Sequence, residues 1–471
     1  MDIDQNIADP NPKYSGDYHG TACAGIAAAA DDGTNCVGAA YNAEIAGWRV
    51  DFPTSTDLDF ADAFDFQLGI NEIDSNSWGP NDFALFVAPM SAVELAAVEN
   101  SIANGRGGLG RIHVKAGGNG LGADDDANFD GVANSRYFIS VSATDHRGEQ
   151  SGYSEPGACH LVNAPSSGDN VGTVTSDVEG MPGVGDGYTG GDFTTTGFGG
   201  TSSACPLVAG VVALMLEANP ALTWRDVQYV LALSAQRNDP SDPDWTTNGA
   251  GHWVNHKYGF GRVDAGAAVA LAQSWTGVGP DIVEDYTWSV PSPITIPDDG
   301  VGDVVISLNV SGSGIDAIEF VEFTVDMTHT WQGDVDIVLT SPDGTQSVVG
   351  GRGGDPGDGF VYTFTSRRHL GEQPNGTWTL RFVDTYPFLD TGTVNGATLR
   401  LIGVQETATL CGADFDGDGD VDLGDFGIFG SAFGSATGDA NYNPQADFDN
   451  DGDVDLGDFG IFGGEFGRSD C

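Results

Sequence analysis

Residues 199–210 place the strongest constraint on the fold of this chain, because a glycine-rich turn carries a serine directly into an apolar run. The turn reads Gly-Gly-Thr-Ser-Ser-Ala-Cys-Pro, with Ser202 near its centre, and residues 208–216 have the composition of a buried helix. A hydroxyl at a helix N-terminus lies beside free backbone N–H groups and the positive end of the helix dipole. This arrangement favours a nucleophilic serine. The alternative is a Gly/Ser loop before an ordinary core helix.

Three other segments contain the partners that a nucleophilic serine needs. His19 precedes small residues and an alanine-rich run, which is typical of a base on the first turn of a closely packed helix. Asn119 lies in a glycine turn, where its amide can donate to an oxyanion. A Ser-Trp-Gly-Pro stretch, with Ser77, Trp78 and Gly79, favours an extended edge along which a substrate backbone could lie.

The order and spacing of these four segments resemble the subtilisin superfamily, and in detail its kexin/furin branch, over residues 1–275. The resemblance implies a serine endopeptidase in which Ser202 attacks the peptide carbonyl, His19 transfers the proton and Asn119 stabilises the oxyanion. It also implies a parallel sheet with helices on both faces. The residues agree, because strand-like runs at 112–114 and 138–141 alternate with helical runs at 94–103, 209–218 and 227–235.

The aspartate that orients the histidine in this family is not recognisable. In the family it ends a first strand at a glycine turn, further upstream than the eighteen residues that precede His19. The available acids, Asp2, Asp4, Asp9 and Asp17, follow no hydrophobic strand and adjoin no such turn. We expect that the chain as given begins after this strand. The alternative is a protease-like protein that binds peptides or a partner without cleaving them.

Several acids match family positions around the substrate. The resemblance implies that Asp82, Asp125 and Glu155 hold Ca²⁺ beneath the pocket for the residue before the cleaved bond. It implies that Asp82 and Asp130 select a basic side chain there, and that Asp17 belongs to the next pocket. An acid for a more distant basic residue is replaced by Phe60, which favours cleavage after a single basic residue. The alternative for each acid is a solvated surface carboxylate.

Residues 276–405 have a different pattern, with short alternating strands between turns rich in proline and glycine. This pattern predicts a β-sandwich or barrel. The stretches at 330–336, 340–345 and 375–380 resemble the P domain that follows the catalytic domain in kexin and furin. The resemblance implies a jelly-roll-like domain that supports the catalytic domain. Without the resemblance, the pattern would indicate only a general β accessory or binding module.

Residues 406–471 contain an acidic repeat with a period of 33 residues. Oxygen ligands at alternate positions, with glycine at the sixth, are typical of a calcium loop. The candidate ligands are Asp414, Asp416, Asp418, Asp420, Asp422 and Asp425, and in the second copy Asp447, Asp449, Asp451, Asp453, Asp455 and Asp458.

Each loop precedes an apolar stripe at helical spacing, Leu423, Phe426, Phe429 and Phe433 or Leu456, Phe459, Phe462 and Phe466, which predicts two helices packed together. The pair resembles a small α dockerin, whose loops are related to the EF-hand. We expect this segment to fold when it binds Ca²⁺. The alternative is a disordered acidic tail. A cohesin-like partner and a calcium-stiffened chain end remain alternatives.

The chain carries 17 basic and 69 acidic residues, which gives a net charge of −52. This charge excludes nucleic acids and anionic membranes as natural partners and favours metal ions or basic peptides. No uninterrupted apolar run is long enough to suggest a membrane span. Cys411 and Cys471 bracket the acidic repeat and could form a disulfide, which predicts a secreted or cell-surface protein, with any signal sequence outside the given chain.

Overall fold

The computed structural model divides into two compact units, Met1–Val404 and Gln405–Cys471, which we describe separately. It describes residues 11–12, 17–33, 36–50, 52, 54–83, 87–178, 193–298, 302–350, 354–386, 390–405, 413, 415–416, 420–439, 441–448 and 452–467. The predicted ligands and cysteines that lie outside these residues are Asp414, Asp418, Asp449, Asp451, Cys411 and Cys471.

A four-stranded parallel sheet forms the centre of the first unit. Its strands are adjacent in chain order: β1 (Ile73–Asn76), β2 (Ile112–Ala116), β3 (Phe138–Thr144) and β4 (His160–Pro165). The strands predicted at residues 112–114 and 138–141 are confirmed. All residues of β2 and β3 are buried, as expected for strands covered on both faces.

Helices cover both faces of this sheet, because alternate residues of β2 contact different helices. Ile112 and Val114 belong to the core formed with α4 (Thr201–Ala218), α5 (Trp224–Ser234) and α6 (Ala265–Ser274). His113 instead contacts Phe64 on α2 (Asp57–Asp65), which packs beside α3 (Ala92–Asn104). The fold class predicted for this part of the chain is therefore confirmed. The predicted capping box of α5, between Thr223 and Asp226, is present.

Helix α4 is the core helix that the apolar run predicted, but it begins at Thr201, several residues before that run. By length and composition it is the one described helix that could cross a membrane, yet 67% of its apolar window is buried inside this fold. The remaining elements near it are α1 (His19–Ala28) and two hairpins, β5 (Thr173–Ser176) with β6 (Phe193–Phe198) and β7 (Thr246–Thr247) with β8 (Trp253–Val254).

A β-sandwich follows in the same unit, as predicted from the short alternating strands. Its strands are β9 (Asp281–Thr287), β10 (Ile294–Ile296), β11 (Val304–Val310), β12 (Ala317–His329), β13 (Val335–Thr340), β14 (Gln346–Val349), β15 (Gly359–Ser366), β16 (Gly376–Asp384) and β17 (Gly392–Val404). One antiparallel sheet has the order β10-β17-β12-β15, with β9 also paired to β17, and the other has the order β11-β16-β13-β14. Phe323 pairs with Phe364 on one side and Leu399 on the other, so the register places three apolar side chains on one buried face.

Buried polar contacts join the sandwich to the parallel-sheet layer. The Arg225 Nε atom donates to Glu319 Oε2 at 2.8 Å, and both side chains are largely buried. Arg367 is 2% exposed and donates to the carbonyl oxygen of Cys159 at 3.0 Å. Asn134 Nδ2 donates to the carbonyl oxygen of Thr363 at 2.7 Å. The sandwich therefore supports the chain segment around residue 130.

The second unit contains helices α7 (Leu423–Ala432) and α8 (Leu456–Glu465), each started by a pair of aspartates that form a capping box. The rings of Phe429 and Phe462 stack with their centroids 5.0 Å apart in a small core. The predicted packing of the two helices through their apolar stripes is therefore present at these phenylalanines. Leu423 and Leu456 of the same stripes are 75% and 74% exposed, because they occupy the first helical position directly after the capping aspartates.

Candidate active site

Ser202 is the second residue of α4, which begins after a glycine in a conformation that other residues rarely adopt. Gly200 has φ +74°, and a Cβ there would lie 3.2 Å from the Asn119 side-chain oxygen. The Ser202 Oγ atom lies 3.4 Å from the Ser77 carbonyl oxygen, beside the end of β1. As a first-turn residue, Ser202 has a backbone amide with no acceptor inside the helix.

The carbonyl group of Ser202 is held from outside the helix. Pro206, four residues later, has no amide hydrogen to donate to it. Instead the carbonyl oxygen accepts hydrogen bonds from Ser77 Oγ at 3.1 Å and from Cys23 Sγ at 3.4 Å. The small residues of the turn and the proline thus fix the serine between β1 and α1.

Asn119 lies across the helix start from Ser202. Its Oδ1 atom accepts hydrogen bonds from the Thr201 backbone amide at 2.8 Å and from Thr201 Oγ1 at 3.1 Å. These bonds orient the amide group, and its Nδ2 atom has no acceptor among the described residues. The side-chain NH₂ group can therefore donate to an oxygen in front of Ser202.

His19 is the first residue of α1, as the sequence predicted. Its Nδ1 atom lies 3.7 Å from Cys23 Sγ, which also contacts the Ser202 carbonyl, and its ring meets Phe198 edge-on at 5.4 Å. Partial burial lowers the pKa of His19 below its usual value, so the imidazole is mainly neutral at pH 7 and can accept a proton. No carboxylate of the described residues forms an ion pair with this ring.

One cavity of about 210 Å³ brings together nine of the eleven site residues selected from the sequence in the first unit, all except His19 and Asp17. Its walls contain Ser77, Trp78, Gly79, Asp82, Asn119, Asp125, Asp130, Glu155 and Ser202. Lys115, Asp126 and Phe129 also line it and were not selected. The cavity thus extends from the serine to a group of carboxylates, as a pocket for a cationic side chain would.

Buried acids form the far wall of this pocket. Glu155 is 5% exposed, and its Oε1 atom accepts a hydrogen bond from the Gly120 amide at 2.8 Å. Burial and the nearby charge of Asp125 raise the pKa of Glu155 well above its usual range. The Asn119 backbone amide donates to Asp82 Oδ1 at 3.1 Å. Among the described residues, Asp82, Asp125 and Glu155 do not form a group with one oxygen from each within 4.8 Å of the others, so their binding of Ca²⁺ stays a prediction.

The glycine turn before Asn119 is required by this wall. Gly118 has φ +100°, and a Cβ on it would collide with the Glu155 carboxylate. A Cβ on Gly120 would lie 2.6 Å from the Asp125 Cβ and 3.0 Å from Glu155 Oε1. Only residues without side chains let the backbone approach the carboxylates so closely.

An ion pair inside the pocket was not anticipated from the sequence. The Lys115 Nζ atom lies 2.8 Å from Asp130 Oδ2, and their side chains are 1% and 11% exposed. The available signal was a lysine near the end of an otherwise buried strand, directly before the glycine turn. Its partner is fifteen residues away and becomes apparent only in the fold.

The residues at two positions expected for more distant substrate contacts have other partners in the structure. Asp17 does not line the described pocket, and its Oδ2 atom accepts a hydrogen bond from Arg49 Nε at 3.1 Å. Phe60, at the position expected for a further acid, packs against Trp78 with ring centroids 4.5 Å apart. Neither residue therefore adds negative charge to the described pocket.

The second unit contains a separate group of acids. One carboxylate oxygen from each of Asp420, Asp422 and Asp425 lies within 4.8 Å of the others, which is compatible with ligands of one metal ion. Asp425 also accepts a hydrogen bond from the Asp422 backbone amide at 2.9 Å, and Asp458 accepts one from the Asp455 backbone amide at 2.8 Å. The last candidate ligand of each loop thus also caps the helix that follows. In the second loop, Asp447 Oδ2 accepts the Gly452 amide at 3.1 Å.

Comparisons with known proteins agree with this geometry. The chain is 37% identical to human proprotein convertase subtilisin/kexin type 7 over 397 residues, covering 80% of this chain and 49% of that protein. It is 34% identical to the dibasic-processing endoprotease of Schizosaccharomyces pombe, covering 86% of this chain and 57% of that protein. The chain thus spans about half the length of these relatives.

The crystal structure of the serine protease of Aeromonas sobria has the same fold, with a TM-score of 0.76 and 22% identity over 85% of this chain and 84% of that one. Residues 318–401 match the proprotein convertase P-domain. Residues 2–261, more than half of the chain, match the Subtilase family. The chain therefore belongs to the subtilase family, with a proprotein convertase P-domain after its parallel-sheet layer.

Proposed function

We propose that this protein is a calcium-dependent serine endopeptidase that cleaves peptide bonds after a basic residue. The observation that supports this most strongly is the joint position of Ser202 and Asn119 at one end of an acid-lined cavity. The names of the relatives agree, since one is a proprotein convertase and another a dibasic-processing endoprotease.

In the proposed reaction, Ser202 Oγ attacks the substrate carbonyl carbon while His19 accepts the hydroxyl proton. The negative charge that forms on the carbonyl oxygen is stabilised by Asn119 Nδ2 and the free Ser202 amide. His19 then donates its proton to the leaving amine. Water, deprotonated by the same imidazole, releases the acyl group and restores the serine hydroxyl.

The substrate backbone would lie along Ser77, Trp78 and Gly79, with the side chain before the cleaved bond entering the cavity. Asp82 and Asp130 are the acids proposed to attract a basic side chain there. Asp125 and Glu155, with Asp82, would hold Ca²⁺, which supplies the positive charge that buried like charges require. Asp17 is proposed for the next pocket, although its present partner is Arg49.

We assign residues 1–275 to catalysis, 276–405 to support by the P domain and 406–471 to a dockerin-like pair of calcium loops. The three grouped carboxylates and the stacked phenylalanines support the last assignment. A cohesin-like module is the candidate partner for that segment. We also propose a secreted or cell-surface location, as a disulfide between Cys411 and Cys471 would require an oxidising compartment.

The proposal is tested by incubating the purified chain with a peptide library and identifying new termini by mass spectrometry. We expect cleavage after arginine or lysine that needs Ca²⁺ and is absent from Ser202→Ala. A second function, peptide binding without cleavage, is favoured by one observation: His19 Nδ1 faces Cys23 Sγ instead of a described carboxylate. Binding of basic peptides with no new termini would support that function and refute the endopeptidase.

A further inference from the structure

The ammonium group of Lys115 is fixed inside the candidate substrate pocket. Its Nζ atom lies 2.8 Å from Asp130 Oδ2, donates to the Ala116 carbonyl oxygen at 2.8 Å, and lies 5.7 Å from the centre of the Trp78 ring. The residue is 1% exposed. Its position at the end of β2 leaves the charged group little freedom to leave the site.

This ion pair lies directly behind the proposed substrate edge. A Cβ atom added to Gly79 would be 3.3 Å from both Lys115 Nζ and Asp130 Oδ2. Both residues also line the cavity that opens at Ser202. A side chain that enters the cavity therefore meets a cation as well as carboxylates.

The two acids proposed to select the substrate are not equivalent. The Asp130 carboxylate is fully engaged, because Oδ2 pairs with Lys115 while Oδ1 accepts the amides of Val132 at 2.9 Å and Ala133 at 3.3 Å. Among the described residues, Asp82 accepts one hydrogen bond, from the Asn119 backbone amide at 3.1 Å. Asp82 thus retains the capacity to bind a substrate cation.

We propose that Lys115 is a specificity-determining residue that neutralises Asp130 and weakens the preference of the pocket for a basic side chain. The preference then depends on Asp82, and cleavage after an uncharged polar side chain of similar size is slower than cleavage after arginine by less than about tenfold. As a statement about cleavage, this inference rests on the proposed endopeptidase function. A unit charge about 6 to 12 Å from the substrate cation changes the binding of that cation by about 10- to 100-fold at an effective dielectric constant of about 20.

The test compares two peptides that differ only in arginine or citrulline before the cleaved bond, since citrulline is the uncharged isostere. We expect the native protein to show a kcat/KM ratio, arginine over citrulline, below about tenfold, and Lys115→Met to raise it at least tenfold. Adding Asp130→Asn to Lys115→Met should remove the increase. Lys257→Met, which removes a lysine paired with Asp242 outside the pocket, should leave the ratio unchanged.

An equal or lower ratio in a folded Lys115→Met protein would overturn the inference. Lys115→Gln replaces it if the methionine variant does not fold, with the same expectation. Binding of 4-aminobenzamidine and its neutral analogue 4-aminobenzamide to the Ser202→Ala background tests the pocket without turnover. A shifted binding ratio with no cleavage by any variant would refute the endopeptidase alone, whereas Ser202-dependent cleavage with unshifted ratios would refute the role of Lys115.

Discussion

Pro206 leaves the Ser202 carbonyl without its intrahelical hydrogen bond, and this carbonyl binds two side chains outside α4 instead. Ser77 Oγ donates to it at 3.1 Å and Cys23 Sγ lies 3.4 Å away. The contacts tie the first turn of α4 to the end of β1 and to α1, which carries His19. A proline inside a helix normally destabilises it, but here it directs the serine.

Replacing the proline should therefore affect chemistry more than folding. In Pro206→Ala the new amide can donate to the Ser202 carbonyl and draw the serine into regular helix geometry. We expect peptide cleavage to slow by about 10- to 100-fold, as a small misplacement of a nucleophile does. The melting temperature should change by only a few degrees, because the better helix former offsets the lost packing.

Pro220→Ala is the matched control, since Pro220 lies in the exposed turn after α4. It should cleave peptides at the native rate. A Pro206→Ala protein as active as this control would contradict the proposed role of the proline.

Asn119 should act mainly on the transition state. Asn119→Asp keeps an oxygen that can accept the Thr201 amide but loses the Nδ2 donor. We expect kcat to fall by at least about 100-fold with little change in KM, because a donor to an oxyanion acts after substrate binding. Asn100→Ala, on the exposed face of α3, should behave like the native protein. Loss of binding with an unchanged kcat would assign Asn119 to substrate affinity.

His256 should make the contact with the P domain sensitive to acid. Its Nε2 atom accepts the Val348 amide at 3.0 Å, and Nδ1 lies 3.0 Å from Asp244 Oδ1. Burial, aided by the charge of Arg368, lowers the pKa of His256 to about 4. The unfolded chain, with a pKa near 6.5, therefore binds more protons between these values. The stabilisation is complete above about pH 6.5 and is lost as the pH falls toward 4, by about 1.4 kcal/mol per pH unit.

Urea unfolding of the native chain and of His256→Gln between pH 4.5 and 6.5 measures this contribution. The glutamine oxygen can replace Nε2 as the acceptor but does not titrate in this range. We expect the variant to show a shallower pH dependence of the free energy of unfolding. Parallel pH curves for the two proteins would show that His256 does not titrate as proposed.

Calcium should stabilise the second unit. The grouped carboxylates of Asp420, Asp422 and Asp425 repel one another unless a cation neutralises them. Hydrogen exchange of the chain, measured by mass spectrometry, tests this. Protection of the α7 and α8 amides should be about 100-fold lower without Ca²⁺ than at a Ca²⁺ concentration of about 100 times the Kd. Peptides from β16, which lines neither proposed calcium site, provide an internal reference. Equal protection of α7 and α8 with and without chelator would disprove the calcium dependence.

Local patterns predicted the elements of this fold well, but not the contacts that join them. Alternation of apolar runs located β2, β3 and α5, and the period of 33 residues located α7 and α8. The helical pattern of α4 was recognisable only from residue 208, because the small residues and the proline of its first turns carry no helical periodicity, so the exact start at Thr201 could not be predicted. The pairs Lys115–Asp130 and Asp17–Arg49 could not be predicted, because they depend on tertiary distances between residues remote in the chain.

The most direct test of the central claim is reaction with a fluorophosphonate probe, which labels a serine hydroxyl only when a base activates it and an oxyanion site receives it. We predict labelling of the Ca²⁺-loaded chain at Ser202, identified by peptide mass spectrometry, and none in Ser202→Ala or in protein first unfolded with urea. Absence of label from Ser202 in the folded protein, or equal labelling of Ser202→Ala, would contradict the assignment of Ser202 as the nucleophile.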